Sequence, residues 1–161
     1  QEIDQDISQF LKKYPETRAT YEEEKIKTYG IQVTPGLDLY RLHGGHDQLT
    51  AFSRQMSDLD QPGRKFHFVS AMPGSQGDYT LFFLTDPGTG CIPLSKADLI
   101  GFHGPHFGDR YRILQTALDC LKADRVPLLL AGCTGASINL VVPAGKGAAA
   151  RHALGRGFEA P

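Results

Sequence analysis

His43-Gly44-Gly45-His46 returns sixty positions later as His103-Gly104-Pro105-His106. Each copy closes an apolar run, Leu37, Leu39 and Leu42 before the first and Leu99, Ile100 and Phe102 before the second, and each stands just ahead of a helical pattern. A motif that recurs in the same local setting marks a duplicated supersecondary unit. Downstream of the first copy, Leu49, Phe52, Met56 and Leu59 fall at spacings of three, four and three, one stripe of a helix that covers a sheet. Pro62-Gly63 closes that helix. Phe66 to Ala71 then alternates as a half-buried strand, and the loop from Pro73 to Gly77 returns the chain into Tyr79 to Leu84 as a hairpin.

The second copy is followed by the same order of elements. Ile113, Leu114, Ala117, Leu118 and Leu121 predict a helix, with Asp109 placed to cap its first turn as Asp47 is for the first helix. Val126 to Ala131 reads as the next strand, Gly132-Cys133-Thr134-Gly135 as a turn, Ser137 to Val142 as the returning strand and Ala148 to Phe158 as a last helix. Residues 86–95 leave room for only a turn where the first unit should carry its second helix. Ile3, Ile7, Phe10, Leu11 and Tyr14 recur at helical spacing until Pro15 interrupts, and a Glu-rich helical stretch runs from Thr17 to about Lys27. The chain therefore divides into an N-terminal helical segment, 1–29, and two modules, 30–95 and 96–161. The expected class is α+β, two ferredoxin-like modules with antiparallel sheets and helices packed on one face.

Composition narrows the function. Seventeen basic residues against eighteen acidic give a net charge of −1, without a Lys/Arg block on any element, so the electrostatic footprint of a nucleic-acid binder is missing. Apolar runs such as Val126 to Cys133 fall well short of the roughly 20 residues that cross a bilayer. Three cysteines, Cys91, Cys120 and Cys133, are an odd number without metal spacing, which points to reduced thiols and a cytoplasmic setting. Cys120 and Cys133 sit in apolar context and read as small core residues. A nucleophilic enzyme would need Cys91, Cys133 or a Ser beside a His and a third orienting group, a proximity that no local motif encodes, and the expectation is a non-catalytic protein.

The segment from Ala97 to Gly101, the helix over 109–123, Val126 to Leu130 and Thr134-Gly135-Ala136-Ser137-Ile138-Asn139-Leu140-Val141-Val142, continued by Gly147 to Phe158, resembles the ACT-domain family. The likeness is to the tandem ACT regulatory region of aspartokinases and covers about residues 30–158. No amino-acid kinase domain accompanies it, since no Gly-rich phosphate-binding stretch follows a strand. The resemblance implies a small-molecule site at the loop between the first strand and first helix of a module, shared across an interface, with an amino acid as effector and a regulated enzyme as partner. It also implies an intertwined arrangement in which a strand from the region of Lys25 to Thr34 completes a sheet edge.

The matching positions are Gly104, His106, Phe107, Gly108, Asp109 and Arg110 in the second module and His46, Asp47 and Gln48 in the first, with Thr134 and Ser137 from the returning turn. Free N–H groups at a helix start suit a carboxylate, an Asp pairs with an α-amino group, and the two hydroxyls complete a polar ring. Sheet edges and an apolar stripe without partners predict a homodimer. No cofactor is required. The alternative reading uses the imidazoles of His43, His46, His103 and His106 to hold a divalent metal such as zinc or nickel, as a metal-binding protein or a metal-dependent enzyme.

Overall fold

The computed structural model describes residues 25–45, 49–59, 62–105, 107–109 and 112–161. The expected stripe over 3–14 lies outside them. Among the described residues, eight strands and three helices follow in the order β1 (Ile26–Lys27), β2 (Gly30–Gly45), α1 (Leu49–Leu59), β3 (Phe66–Pro73), β4 (Asp78–Thr85), β5 (Ser95–His103), α2 (Ile113–Ala123), β6 (Leu130–Cys133), β7 (Ser137–Pro143), α3 (Gly147–Leu154) and β8 (Phe158–Glu159). The class is α+β with a mostly antiparallel sheet, as the sequence predicts. Six strands form one antiparallel sheet in the order β3-β4-β2-β5-β7-β6, and β1 pairs in parallel with β8.

The long strand β2 organises the sheet. Its first half, Gly30 to Thr34, lies against His103 to Leu99 of β5, and its second half, Asp38 to Gly45, lies against β4. Between them the register slips at Pro35-Gly36, where Gly36 takes φ 69°, a left-handed backbone that suits glycine. The buried Asp98 carboxylate holds this bend, accepting the Gly36 N–H at 3.0 Å together with those of Gly145 (3.1 Å) and Gly147 (2.9 Å) at the start of α3.

Strand alternation sorts the side chains onto two faces. On one, Ile31, Ile100, Phe102, Ile138, Leu140 and Val142 meet Ile113, Ala117 and Leu121 of α2 and Ala150, Ala153 and Leu154 of α3. The same face continues as Tyr40 and Phe83, covered by Leu59 of α1. The three described helices thus lie on one face. The opposite face carries none of the described helices, yet Leu37, Leu39, Leu84, Ala97 and Val141 are 0–3% exposed. A fold in the sheet accounts for this. Phe68 of the edge strand β3 and Leu130 of the far edge strand β6 both join that cluster, and a Cβ placed on Gly132 would come within 2.7 Å of the Phe68 ring. Five strand spacings would hold β3 and β6 about 24 Å apart in a flat sheet, so the sheet closes on itself with its helices outside.

Several expectations change at the element level. Ile26–Lys27 is a strand rather than the end of a helix, tied down by Ile26 N–H to the Gly157 carbonyl (3.0 Å) and Thr28 N–H to that of Glu159 (2.9 Å). The last helix stops at Leu154, and the chain turns at 155–157 into β8, which buries Phe158 against Phe102 at 4.9 Å between ring centroids. The strand expected at Val126 to Ala131 forms at Leu130–Cys133 instead, because Pro127 interrupts pairing while Val126 plugs the core from a loop. Leu118, expected on the buried stripe of α2, is 37% exposed, and Cys120 takes the inward position. No helix stands between β4 and β5, as the short 86–95 segment foretells.

Candidate ligand site

The residues after β5 approach the rest of the fold closely at two glycines. A Cβ on Gly104 would lie 2.5 Å from the Lys27 carbonyl oxygen and 2.5 Å from the Phe107 ring, and one on Gly108 would lie 2.9 Å from the Gly135 carbonyl oxygen. The loop therefore meets β1 at Gly104 and the β6–β7 turn at Gly108, which lies against Gly135. Phe107 itself is 5% exposed and stands edge-on to Phe102 at 6.1 Å, so its side chain belongs to the core rather than to a ligand surface. Thr134 is committed to its own turn, its Oγ1 accepting the N–H of Ala136 (3.3 Å) and of Ser137 (3.2 Å) and lying 3.2 Å from Ser137 Oγ.

Asp109 does not stand at the N-cap position of α2. It ends a short 3₁₀ turn, Phe107–Asp109, and α2 begins at Ile113 behind Arg112, which adopts φ 73° and offers no side-chain cap. A non-glycine residue in the left-handed region costs roughly 1–2 kcal/mol. His106, Arg110, His46, Asp47 and Gln48 lie outside the described residues, as does the Asp109 side chain.

The concave space near this loop is built by β2, β5 and β7. Gln32, Gly101 and Asn139 stand opposite one another across the three strands, and Gly30, His103 and Ser137 form the next row. A glycine in each row leaves the sheet surface without a side chain, and polar groups flank the gap. The result is a cavity of about 240 Å³, walled also by Tyr29, whose ring lies 5.2 Å from that of His103. Gln32, Asn139 and Tyr29 escape a reading of the sequence, because each reaches the site only through non-local strand pairing. In the other half of the sheet, Arg41, His43, Thr80, Phe82 and Met72 border a second hollow of about 410 Å³. There His43 Nδ1 meets Thr80 Oγ1 at 3.0 Å and Nε2 lies 3.4 Å from Asp78.

The two described histidines of the repeated motif are separated by the length of β2. His103 pairs with Gly30 at its start, and His43 lies thirteen residues along it, roughly 40 Å for an unbent strand. Among the described residues, no group of three or more His, Cys, Asp or Glu side chains has metal-site geometry. Cys133, expected in the core, is exposed, as is Cys91, while Cys120 is buried and burial raises its thiol pKa. No described helix is long and apolar enough to cross a membrane.

Three solved structures share the path of this chain. The ligand-free regulatory subunit of aspartate kinase from Thermus thermophilus superposes with a TM-score of 0.68 at 11% identity, over 84% of this chain and 100% of that one. The fold is that of an aspartokinase regulatory subunit. The regulatory subunit of aspartate kinase from Thermus flavus matches with a TM-score of 0.64 at 12% identity, over 83% and 99% of the two chains. Aspartate kinase from Clostridium acetobutylicum matches with 0.65 at 15% identity, over 86% of this chain and 37% of that one. No family model and no curated protein matches the sequence. The ACT-like resemblance that the small-residue turns and element order carry is therefore met at the level of the fold, and the start of β2, within the Lys25 to Thr34 region, pairs with β5.

Proposed function

We propose that the protein is a non-catalytic regulatory unit of two ACT-like modules, 30–95 and 96–161, that binds an amino acid and transmits its presence to a partner enzyme in the cytoplasm. The observation that carries this reading is the glycine-floored cavity bounded by Gln32, His103, Ser137 and Asn139 beside the 104–109 loop. Its neutral donors and acceptors suit the polar ends of a zwitterion, and the loop adds Asp109 and Arg110 as charged partners. The reading is supported by the two Thermus neighbours, which are regulatory subunits, and by the Clostridium protein, described as an allosteric enzyme. Two copies associate through the open sheet edges in this proposal.

A thermal-shift screen against the amino acids tests it, because a ligand of the folded state raises the apparent melting temperature. Calorimetry should then show Gln32→Ala or Ser137→Ala weakening the hit by about 1 kcal/mol, roughly fivefold, and Asp109→Asn by about 1.5–3 kcal/mol if the carboxylate meets the ligand amine. Affinity untouched by all three would remove the site from this loop. Zinc and nickel in the same screen address the histidine alternative: a shift abolished by His103→Ala together with His106→Ala would favour metal binding.

A further inference from the structure

Residues sixty positions apart hold equivalent places in the sheet. His43 lies opposite Thr80 of β4 as His103 lies opposite Ser137 of β7, and Arg41 lies opposite Phe82 as Gly101 lies opposite Asn139. Their other sides differ. Gly101 and His103 are flanked by Gln32 and Gly30 of β2, and the His103 carbonyl accepts the Tyr29 N–H at 2.9 Å. On β2 the ladder to β5 ends at Leu39, whose carbonyl accepts the Leu94 N–H at 2.7 Å, while the ladder to β4 runs on to Gly45. Backbone groups two residues apart in a strand point the same way, so the N–H and C=O of Arg41 and His43 face the side on which β5 has ended. Among the described residues, no backbone group pairs with them there. The start of β2 gives the β5 half of the sheet a fourth strand, and the described residues supply none to the β2 half.

We infer that this open stretch, residues 40–45 of β2, receives an extended acidic segment of another protein as an added antiparallel strand. Strand addition draws affinity from main-chain hydrogen bonds and specificity from alternate side chains, and each face of this edge offers a distinct environment to one set. On the helix side, side chains opposite Tyr40 and Leu42 would enter the cavity of about 360 Å³ between α1 and the 91–94 segment. Its wall combines Leu59, Ile92 and Leu94 with the polar Gln55 and Asp58 of α1, so it suits a side chain with an apolar body and a polar tip, such as tyrosine. On the other side, residues opposite Arg41 and His43 would stand beside two exposed side chains. The His43 ring is engaged by Thr80 and Asp78, which leaves Arg41 as the charge that a carboxylate matches. The same charge disfavours a second copy, because isologous antiparallel pairing would set basic side chains of one copy against those of the other. The proposal rests on the regulatory reading only in taking the partner to be a protein, and it needs no occupied amino-acid cavity.

Titration of the full chain with a capped hexapeptide of alternating Glu and Tyr tests the edge, followed by calorimetry and by amide hydrogen exchange in NMR, with no amino acid added. Binding should saturate below millimolar peptide, and exchange of the Arg41 and His43 N–H groups should slow by about tenfold or more. Arg41→Glu should weaken the peptide by about tenfold and make an alternating Lys and Tyr peptide the tighter ligand. N-methylation of the Glu nitrogens, which face β2 in the antiparallel register, should also cost about tenfold. Equal binding with those nitrogens blocked, or no saturation, would overturn strand addition. Equal binding of the Lys peptide to the parent protein would overturn the acidic partner. Slow exchange at both N–H groups before any peptide is added would overturn the proposal as well, since the edge would then already be covered by the chain itself or by a second copy. None of these failures touches the thermal-shift response to amino acids, so the two readings fail separately.

Discussion

Asp98 shows how one residue can hold several parts of this fold. Its carboxylate is 3% exposed and accepts three backbone N–H groups, from the bend in β2, from the turn after β7 and from the first residue of α3. The cost of burying the charge is offset by these charge-assisted bonds and by the positive end of α3. Asp98→Asn keeps the shape but turns one acceptor into a donor facing an N–H, so it should destabilise by about 2–4 kcal/mol in urea unfolding. A loss under 0.5 kcal/mol, the ordinary size for a surface change, would show that the three N–H groups find other partners. Its counterpart sixty positions earlier, Asp38, is also buried but pairs with Lys96 across the strands and lies 3.4 Å from the Tyr40 hydroxyl. Burial raises the Tyr40 pKa, and its hydroxyl reaches Thr89 and the Cys91 carbonyl, tethering the loop that replaces a helix.

At the scale of elements, the β4–β5 loop is fastened at its other end by His67 and Asp86, whose Nε2 and Oδ1 lie 2.6 Å apart. Asp86 also accepts the Lys65 N–H at 3.0 Å. These bonds, His67 first, hold the Asp86 carboxyl below its ordinary 3.8. A carboxyl with a depressed folded pKa contributes stability that is complete above its unfolded value and is lost as pH falls through the folded one. Acid unfolding of His67→Ala should therefore show lower stability above about pH 4 and converge on the parent profile at more acidic pH. Parallel profiles throughout would mean that His67 acts by packing alone. The same scale explains Gly132, a strand glycine that stands where the Phe68 ring arrives from the opposite edge of the sheet.

For the whole molecule, closure of the sheet leaves β3 and β6 as its two edges, with Val69 49% and Met72 55% exposed on the first and Leu128 and Leu129 at 38% and 41% beside the second. Open edges with apolar side chains are templates for pairing with another chain. Light scattering should find a dimer at micromolar concentration, and Val69→Lys with Met72→Lys should shift it toward monomer. A monomer at high micromolar concentration in the parent protein would end the dimer proposal.

The sequence alone determined the helices over 49–59 and 113–123 and the hairpins that follow them, because the relevant signals are local. Leu49 to Leu59 and Ile113 to Leu121 keep a 3.6-residue period, and Pro73 to Gly77 and Thr134 to Ser137 carry turn residues between alternating strands. Tertiary structure decided what depends on residues far apart in the chain. The start of Pro-Gly-bent β2 pairs with β5, Phe158 turns from the end of a helix into a core strand, and Gln32 and Asn139 arrive at the cavity across Gly101. The N-cap position of α2 fell at Arg112 rather than at Asp109, and His43 and His103, alike in their motifs, were carried to opposite ends of one strand. Periodicity records which face of an element is apolar; which other face it meets is settled only when the sheet folds over and buries both.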